Sequence, residues 1–342
     1  MPAPLRLRLD AAALIANWRA LDRLSGTAAC GAAVKADGYG LGAAGVVARL
    51  AEAGCRDFFV ATWAEAATLE HLDVEVAVLH GVRAEDMAAA LRGHARPVLN
   101  TAAQIARWRE AGGGRCDVMV DTGMNRLGVS VEQVQQGLLD GLQIDTLMSH
   151  LACADEDAPA NARQCAALHA LRGRTAARRL SLASSAGIAL GADYAFDLTR
   201  PGLALYGGVP REELAGVVCQ VVTPEAQILQ RRTLASGESI GYNALYTATA
   251  PTEVAILNVG YADGYWRGFS NTGSARIGDA VLPVLGRVSM DLTAICVDAA
   301  PLLAEGDWVA LDYSLPHAAA LSGMSQYELL TGLGARAERV WG

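Results

Sequence analysis

Between residues 29 and 206 one pattern recurs: a short apolar run, then a longer stretch whose apolar residues return every three or four positions. The runs are ACGAAVK (29–35), DFFVAT (57–62), VEVAVLH (74–80), RPVLN (96–100), CDVMVD (116–121), IDTLMSH (144–150), LSLASS (180–185) and FDLTR (196–200). Between them lie helix-like segments such as GVVARLAEAG, AEDMAAALRG, AAQIARWREAGG and ARQCAALHALRGR, several of which stop at glycine. Strand, helix, strand in eight repeats is the pattern of a parallel (β/α)8 TIM barrel, expected here over residues 11–213.

A barrel builds its site at the C-terminal ends of its strands. Those ends carry Lys35, Thr62, His80, Asn100, Asp121, His150, Ser184 or Ser185, and Arg200. Polar residues also end strands simply because the chain leaves the core, and for Thr62, His80 and Asn100 that reading is preferred. For Lys35 and Arg200 it is not. A lysine at the inner end of a strand is costly unless its amine is used or paired, and a neutral amine there forms Schiff bases readily. The GYGLGA that follows could bring backbone N–H groups and the Tyr39 hydroxyl near a phosphate, although it matches neither of the standard phosphate-loop patterns.

After GGVPREE (207–213) the period changes. VVTPEAQILQRRTL, ESIGYNALYTA, TEVAILNVGYADGY and SARIGDAVLPVLGRVSMDLTAICVD alternate apolar and polar residues between Gly, Pro and Asn turns. A separate all-β domain is expected over 214–342, and the initial LRLRLD, which has no place in the barrel, is expected to join it through residues 5–10. The net charge of −8 argues against a nucleic-acid partner, and no uninterrupted apolar stretch has the length of a membrane span. Cys30, Cys55, Cys116, Cys153, Cys165, Cys219 and Cys296 form no C-x-x-C pair and read as reduced core thiols. With no secretory signal in MPAPLRLRLD, a cytoplasmic address is expected, and no metal is.

Seven stretches resemble, in order and spacing, the motifs of the fold-type III alanine racemases, which use pyridoxal phosphate: AVKADGYGLGA, DTGMNRLGV (121–129), SHLACADE (149–156), LTRPGLALYG (198–207), ESIGYNALYTA (238–248), VGYADGYWRG (259–268) and GRVSMD (286–291). The resemblance implies an isomerase that interconverts L- and D-alanine by a two-base mechanism and supplies D-alanine for peptidoglycan. Lys35 would carry the cofactor as a Schiff base and act as one base. Tyr242 would be the second, on the opposite face. A phenol is a poor base unless positive charge lowers its pKa, and the family's histidine and arginine network matches His150 and Arg200. Arg200 would also face the pyridine nitrogen and disfavour its protonation. The phosphate would be held by Tyr39, Ser185 and the backbone N–H groups of Gly202 and Leu203. Arg126 and the N–H of Met290 would bind the substrate carboxylate, with Tyr261 limiting substrate size at the entrance. Tyr242 and Met290 would act on the partner's cofactor, which makes a homodimer the functional unit.

The chain departs from the family at three places. Met119 stands where many relatives carry a carbamylated lysine beside the substrate arginine, leaving a chloride or Asn125 as the partner of Arg126. Ala335 falls near the place of a further phosphate-binding tyrosine, and Ser184 replaces an asparagine. The alternatives are a serine or broader-specificity racemase of the same fold, or a non-catalytic pyridoxal phosphate carrier. The carriers lack the long β domain and its tyrosine. A decarboxylase would require an acid where LTRPG offers arginine.

Overall fold

The computed structural model describes residues 3–342. Its contacts divide the chain into two units: Leu14–Cys219, and the segment through Ala13 together with Gln220–Gly342. The first strand, β1 (Leu5–Leu9), falls in the latter.

In the unit Leu14–Cys219 the barrel's first strand is broken at Gly31 into β2 (Ala29–Cys30) and β3 (Ala32–Ala33). There follow β4 (Asp57–Val60), β5 (Glu75–Val78), β6 (Ala95–Leu99), β7 (Cys116–Asp121), a short β8 (Val129–Ser130) paired to the end of β7, β9 (Ile144–Met148), β10 (Arg179–Ser181) and β11 (Leu198–Thr199). Parallel pairing runs β3-β4-β5-β6-β7-β9-β10, and β11 pairs with β2. Between β10 and β11 the Asp197 N–H donates to the Leu180 carbonyl (3.0 Å) and the Arg200 N–H to the Ala183 carbonyl (2.8 Å), which closes the ring of eight strand positions.

β6 and β9 are buried at every position, as parallel strands covered on both faces must be. The helix Ala43–Ala53 supplies such cover, burying Ala43, Val46, Val47 and Leu50 as one stripe. Most of the strands are shorter than the apolar runs that announce them, because the last residues of a run are spent on turns and caps. Thr62 lies past β4 and caps the helix Trp63–Ala67, and His80 is exposed beyond β5. Asn100, past β6, is fully buried and donates to the carbonyls of Leu79 (3.0 Å) and Val98 (2.8 Å). These are structural roles.

The opposite, N-terminal ends of the strands form an ionic floor. Arg179 binds both oxygens of Asp57 (2.7 and 2.9 Å) and Asp145 (2.6 Å). Arg96 lies 3.5 Å from the fully buried Asp117 and 3.8 and 3.7 Å from Asp57 and Asp145.

The other unit is built on β1 with β12 (Val222–Leu234), β13 (Ser239–Ile240), β14 (Tyr246–Thr247), β15 (Thr252–Leu257), β16 (Ser274–Ile277), β17 (Ala280–Leu285), β18 (Thr293–Cys296), β19 (Trp308–Leu311) and β20 (Glu338–Trp341). The sheet order is β15-β18-β17-β16-β19-β12-β1-β20, and β15 also pairs with the far half of the long, bulged β12, so the sheet turns back on itself. β1 runs antiparallel to β12 and parallel to β20. Two helices, Leu315–Ser322 and Gln326–Thr331, accompany these strands without having shown in the alternation. β13 and β14 form a separate two-stranded ribbon.

All seven cysteines are unpaired, but the expectation of core thiols holds fully only for Cys30, Cys55 and Cys116. Cys153, Cys165 and Cys296 are half-buried and Cys219 is exposed. The Cys219 backbone is what is tied down, through its N–H to Asn17 Oδ1 (2.7 Å) and its carbonyl to Asn17 Nδ2 (2.8 Å), which leaves the thiol outside. Among the described residues no helix is long and apolar enough to cross a membrane.

Candidate active site

Lys35 lies two residues past β3, where the chain turns in an unusual way. Ala36, Asp37, Gly38 and Tyr39 all have positive φ (53°, 52°, 63° and 56°). For residues with a Cβ this left-handed conformation costs about 1–2 kcal/mol each, so the turn needs outside support. The Lys35 amine is held below its ordinary pKa, first by burial and then by Arg126, with Glu65 opposing and Arg200 adding. Such an amine is more readily neutral and nucleophilic. A further sequence feature sharpens its place: Lys35 is the only lysine in the chain, every other basic side chain of its class being arginine. A tally of lysines against arginines would have shown this without any structure.

Tyr39 is buried and stacks on Tyr206 (centroids 4.8 Å apart), whose hydroxyl donates to the Ala33 carbonyl at 3.0 Å. Its own hydroxyl lies against Gly202, where a Cβ would collide with it; only glycine lets that ring in. Ser185, buried at the start of the helix Ser185–Ala189, accepts at Oγ the N–H groups of Gly202 (2.9 Å) and Ala204 (3.1 Å). Tyr39, Ser185 and Gly202 therefore converge, and Leu203 follows directly. Gly202 spends its N–H on Ser185 here, and Ala204, which sequence reasoning passed over, is the second donor. A small, neutral set of hydroxyls and amides at a glycine cradle fits a phosphate group. Ser184, the residue before, is half-buried and makes no side-chain cap to this helix.

Arg200 is buried, donates to the Ser181 hydroxyl and the Ser149 carbonyl (2.6 Å for the latter), and stands 6.0 Å from the centre of the Phe59 ring. Burial pushes its pKa down to about 10, which leaves it charged at neutral pH. His150 follows Ser149. Burial, then Arg200, Arg126 and Lys35, push it down to about 3, so it is neutral, and the positive charge expected of the histidine and arginine pair belongs to the arginine. Asp121, at the end of β7, accepts the N–H groups of Gly123 (2.8 Å), Met124 (2.9 Å) and Arg126 (3.0 Å) and shapes the loop that carries Arg126. Among the described residues the Arg126 guanidinium has neither an ion pair nor a hydrogen bond to Asn125; Met119 is a buried strand residue. Gln164, also unremarked in the sequence, is buried and binds the His150 carbonyl (2.9 Å), the Ala152 N–H (2.9 Å) and the Thr122 hydroxyl (3.4 Å).

The other unit carries its own concavity of ≈ 250 Å³, lined by Tyr242, Asn243, Tyr261, Arg267, Arg287 and Met290. Tyr242 is 66% and Met290 54% exposed. The Tyr261 N–H donates to the Ser289 carbonyl and that of Ala262 to Met290, both at 3.0 Å, and Gly260 permits the approach, since a Cβ there would strike both carbonyls. Arg267 lies over the Tyr261 ring at 4.9 Å, within cation–π reach. Ala335 is exposed and has no polar side chain to offer a phosphate.

These features can be set beside known proteins. The family model for the alanine racemase N-terminal domain matches residues 9–210, and that for the C-terminal domain residues 221–341. An alanine racemase of Acidiphilium cryptum is 43% identical over 98% of both chains. A catabolic alanine racemase of Agrobacterium fabrum is 40% identical over 97% of this chain and 91% of its own. The crystal structure of alanine racemase from Bartonella henselae, with covalently bound pyridoxal phosphate, superposes with a TM-score of 0.91 at 32% identity and complete coverage of both chains. Two domain matches that together span nearly the whole sequence, on a barrel with its sole lysine at the first strand end, place this chain in the alanine racemase family.

Proposed function

We propose that the protein is a pyridoxal-phosphate-dependent alanine racemase that interconverts L- and D-alanine and supplies D-alanine for peptidoglycan. The observation that carries this reading is Lys35, a single lysine with a lowered pKa beside a glycine cradle built from Tyr39, Ser185 and Gly202. Lys35 would hold the cofactor covalently, Tyr39, Ser185, Gly202 and Leu203 would take its phosphate, and Arg200 would face its ring nitrogen. Bound there, pyridoxal phosphate supplies an electron sink that makes the substrate α-hydrogen acidic.

The chain's residues do the rest. The Lys35 amine, once free, takes or returns a proton on one face of the α-carbon, and the Tyr242 hydroxyl serves the other, so inversion needs both. Arg126, a cation with no ion pair among the described residues, pairs with the substrate carboxylate, and the Met290 N–H supports it. Tyr261, under Arg267, narrows the entrance to a small side chain. The fixed charge of Arg200 keeps the ring nitrogen unprotonated and restrains side reactions.

The active unit is a homodimer in which Tyr242, Tyr261 and Met290 of one protomer complete the site of its partner. Supporting this, the lysine set and the tyrosine set lie in different units, and the second is exposed in its own concavity. A cytoplasmic location accords with seven unpaired cysteines. The test is complementation. Lys35→Ala and Tyr242→Phe should each be inactive alone and should recover racemisation when co-expressed, because the mixed dimer holds one intact site. Absence of recovery, with mixed dimers verified by tags, would place both residues in one chain's site.

A further inference from the structure

We propose that Glu65 is a positioning residue for the cofactor lysine: its carboxylate anchors the left-handed turn that aims Lys35 and Tyr39 into one site. The proposal rests on the reading of Lys35 given above. Ala36 is the first residue of that turn, and its N–H donates to Glu65 Oε1 at 2.9 Å. Glu65 Oε2 accepts the N–H groups of Ala61 (2.6 Å) and Thr62 (3.3 Å). One carboxylate thus gathers N–H groups from the loops that follow the first and second barrel strands. Glu65 is itself fixed as the third residue of the helix Trp63–Ala67, where the Thr62 hydroxyl accepts its N–H in return (3.2 Å).

A helix cap needs only the second of these oxygens. The bond from Oε1 to Ala36 reaches 29 residues back in the chain and does nothing for the helix. What it meets is a run of four left-handed residues, three of them with a Cβ, that would not persist unaided. The far end of the turn is held as well: Asp37 Oδ1 accepts the Ala43 N–H at 2.8 Å, and the Gly40 N–H donates to the Ala36 carbonyl at 2.8 Å. The charge of Glu65 also raises the pKa of the Lys35 amine, against the lowering by burial, Arg126 and Arg200.

Glu65→Gln separates the two roles. The amide keeps an oxygen for Ala61 and Thr62, preserving the cap, and turns a second donor toward the Ala36 N–H. Because Lys35 is the only lysine, borohydride reduction of the holoenzyme followed by mass spectrometry of its peptide reports one site. E65Q should unfold at the wild-type temperature, yet form the reducible adduct roughly ten- to a hundredfold more slowly and show weaker visible circular dichroism from the bound cofactor. Adding Ala36→Gly, which accepts positive φ without strain, should restore much of the rate. Adduct formation by E65Q at the wild-type rate, or a loss that Ala36→Gly does not relieve, overturns the proposal. A reducible adduct surviving in Lys35→Ala would instead overturn the reading of Lys35.

Discussion

At the N-terminal ends of the barrel strands Asp57, Asp117 and Asp145 meet Arg96 and Arg179 at distances up to 3.8 Å. At the C-terminal ends burial lowers the pKa values of Lys35, Arg200 and His150, and the cations Arg126 and Arg200 lower that of Lys35 further, as these two and Lys35 do that of the neutral His150. Both regions bury ionisable groups, so burial alone does not distinguish them. The floor brings its own counterions and has no chemistry left to do. The mouth, with Glu65 and Asp121 as nearby acids against Lys35, Arg126 and Arg200, is short of negative charge, and the anions that would complete it are a phosphate and a substrate carboxylate. A charge cluster left unbalanced by the protein marks a binding site; a balanced one marks scaffolding.

The comparison breaks most completely at the mouth. Lys35→Ala leaves a chain without any side-chain amine, so borohydride should fix no pyridoxal phosphate to it, and exchange of the alanine α-proton with solvent deuterium should fall to background. The floor should be unaffected, with urea unfolding of cofactor-free protein unchanged within error. Cofactor fixed elsewhere, or a large loss of stability, would mean that the mouth lysine is a structural charge after all.

Next in size comes the floor. Arg179→Ala removes three hydrogen bonds from Asp57 and Asp145, leaving Asp57 only the longer contact to Arg96 and Asp145 those to Arg96, Arg115 and Arg178. Removing one partner of a buried ion pair costs about 3–5 kcal/mol when the other charge is left without compensation, and the cations that remain around Asp57 and Asp145 put the expected loss at the lower end of that range. Chemical denaturation should show that loss, while the surviving folded fraction still takes up cofactor. A variant that is stable but cannot bind cofactor would show that the two ends are coupled.

The eightfold alternation was legible because parallel strands buried on both faces need continuous apolar runs, and helices covering them need a three-and-four stripe. Strand ends were less so, since Thr62 and Asn100 are polar whether they end a strand, cap a helix or bind a carbonyl. Tyr39, Ser185, Gly202 and Arg200 could be gathered from motif order, and barrel topology then brings residues distant in sequence to one rim. The neutrality of His150 could not, because it depends first on how deeply the ring is buried and then on how close three cations come in space. Nor could the contact from Glu65 to Ala36. The T-x-x-E of Thr62 to Glu65 announces a helix cap, but nothing local says that the second oxygen serves the lysine turn.

The two ends also predict opposite responses to pH. His150 is depressed from 6.5 to about 3, so its contribution to stability is complete above pH 6.5 and is lost as pH falls toward 3. Asp117 is raised from 3.8 to about 6, chiefly by burial, with Arg96 opposing and Asp145 adding. Its contribution is complete below pH 3.8 and is lost as pH rises through 6. Each group can change stability by at most about 1.4 kcal/mol per pH unit. Urea unfolding of cofactor-free protein between pH 4 and 7 should therefore steepen with acid in Asp117→Asn and flatten with acid in His150→Asn. The same direction of change in both variants would erase the contrast between mouth and floor.

The smallest effect sharpens what makes the floor strong. Arg178 also reaches Asp145, at 3.3 Å, but its side chain is 73% exposed where that of Arg179 is 25%. An exposed partner in water contributes only a few tenths to about 1 kcal/mol, and Asp145 keeps Arg179 when Arg178 is removed. Arg178→Ala should thus shift the urea midpoint barely beyond error, with racemisation unchanged and less effect in high salt than in low. If it destabilised as much as Arg179→Ala, the floor's strength would lie in the number of cations around Asp145 and not in the burial of one bidentate arginine.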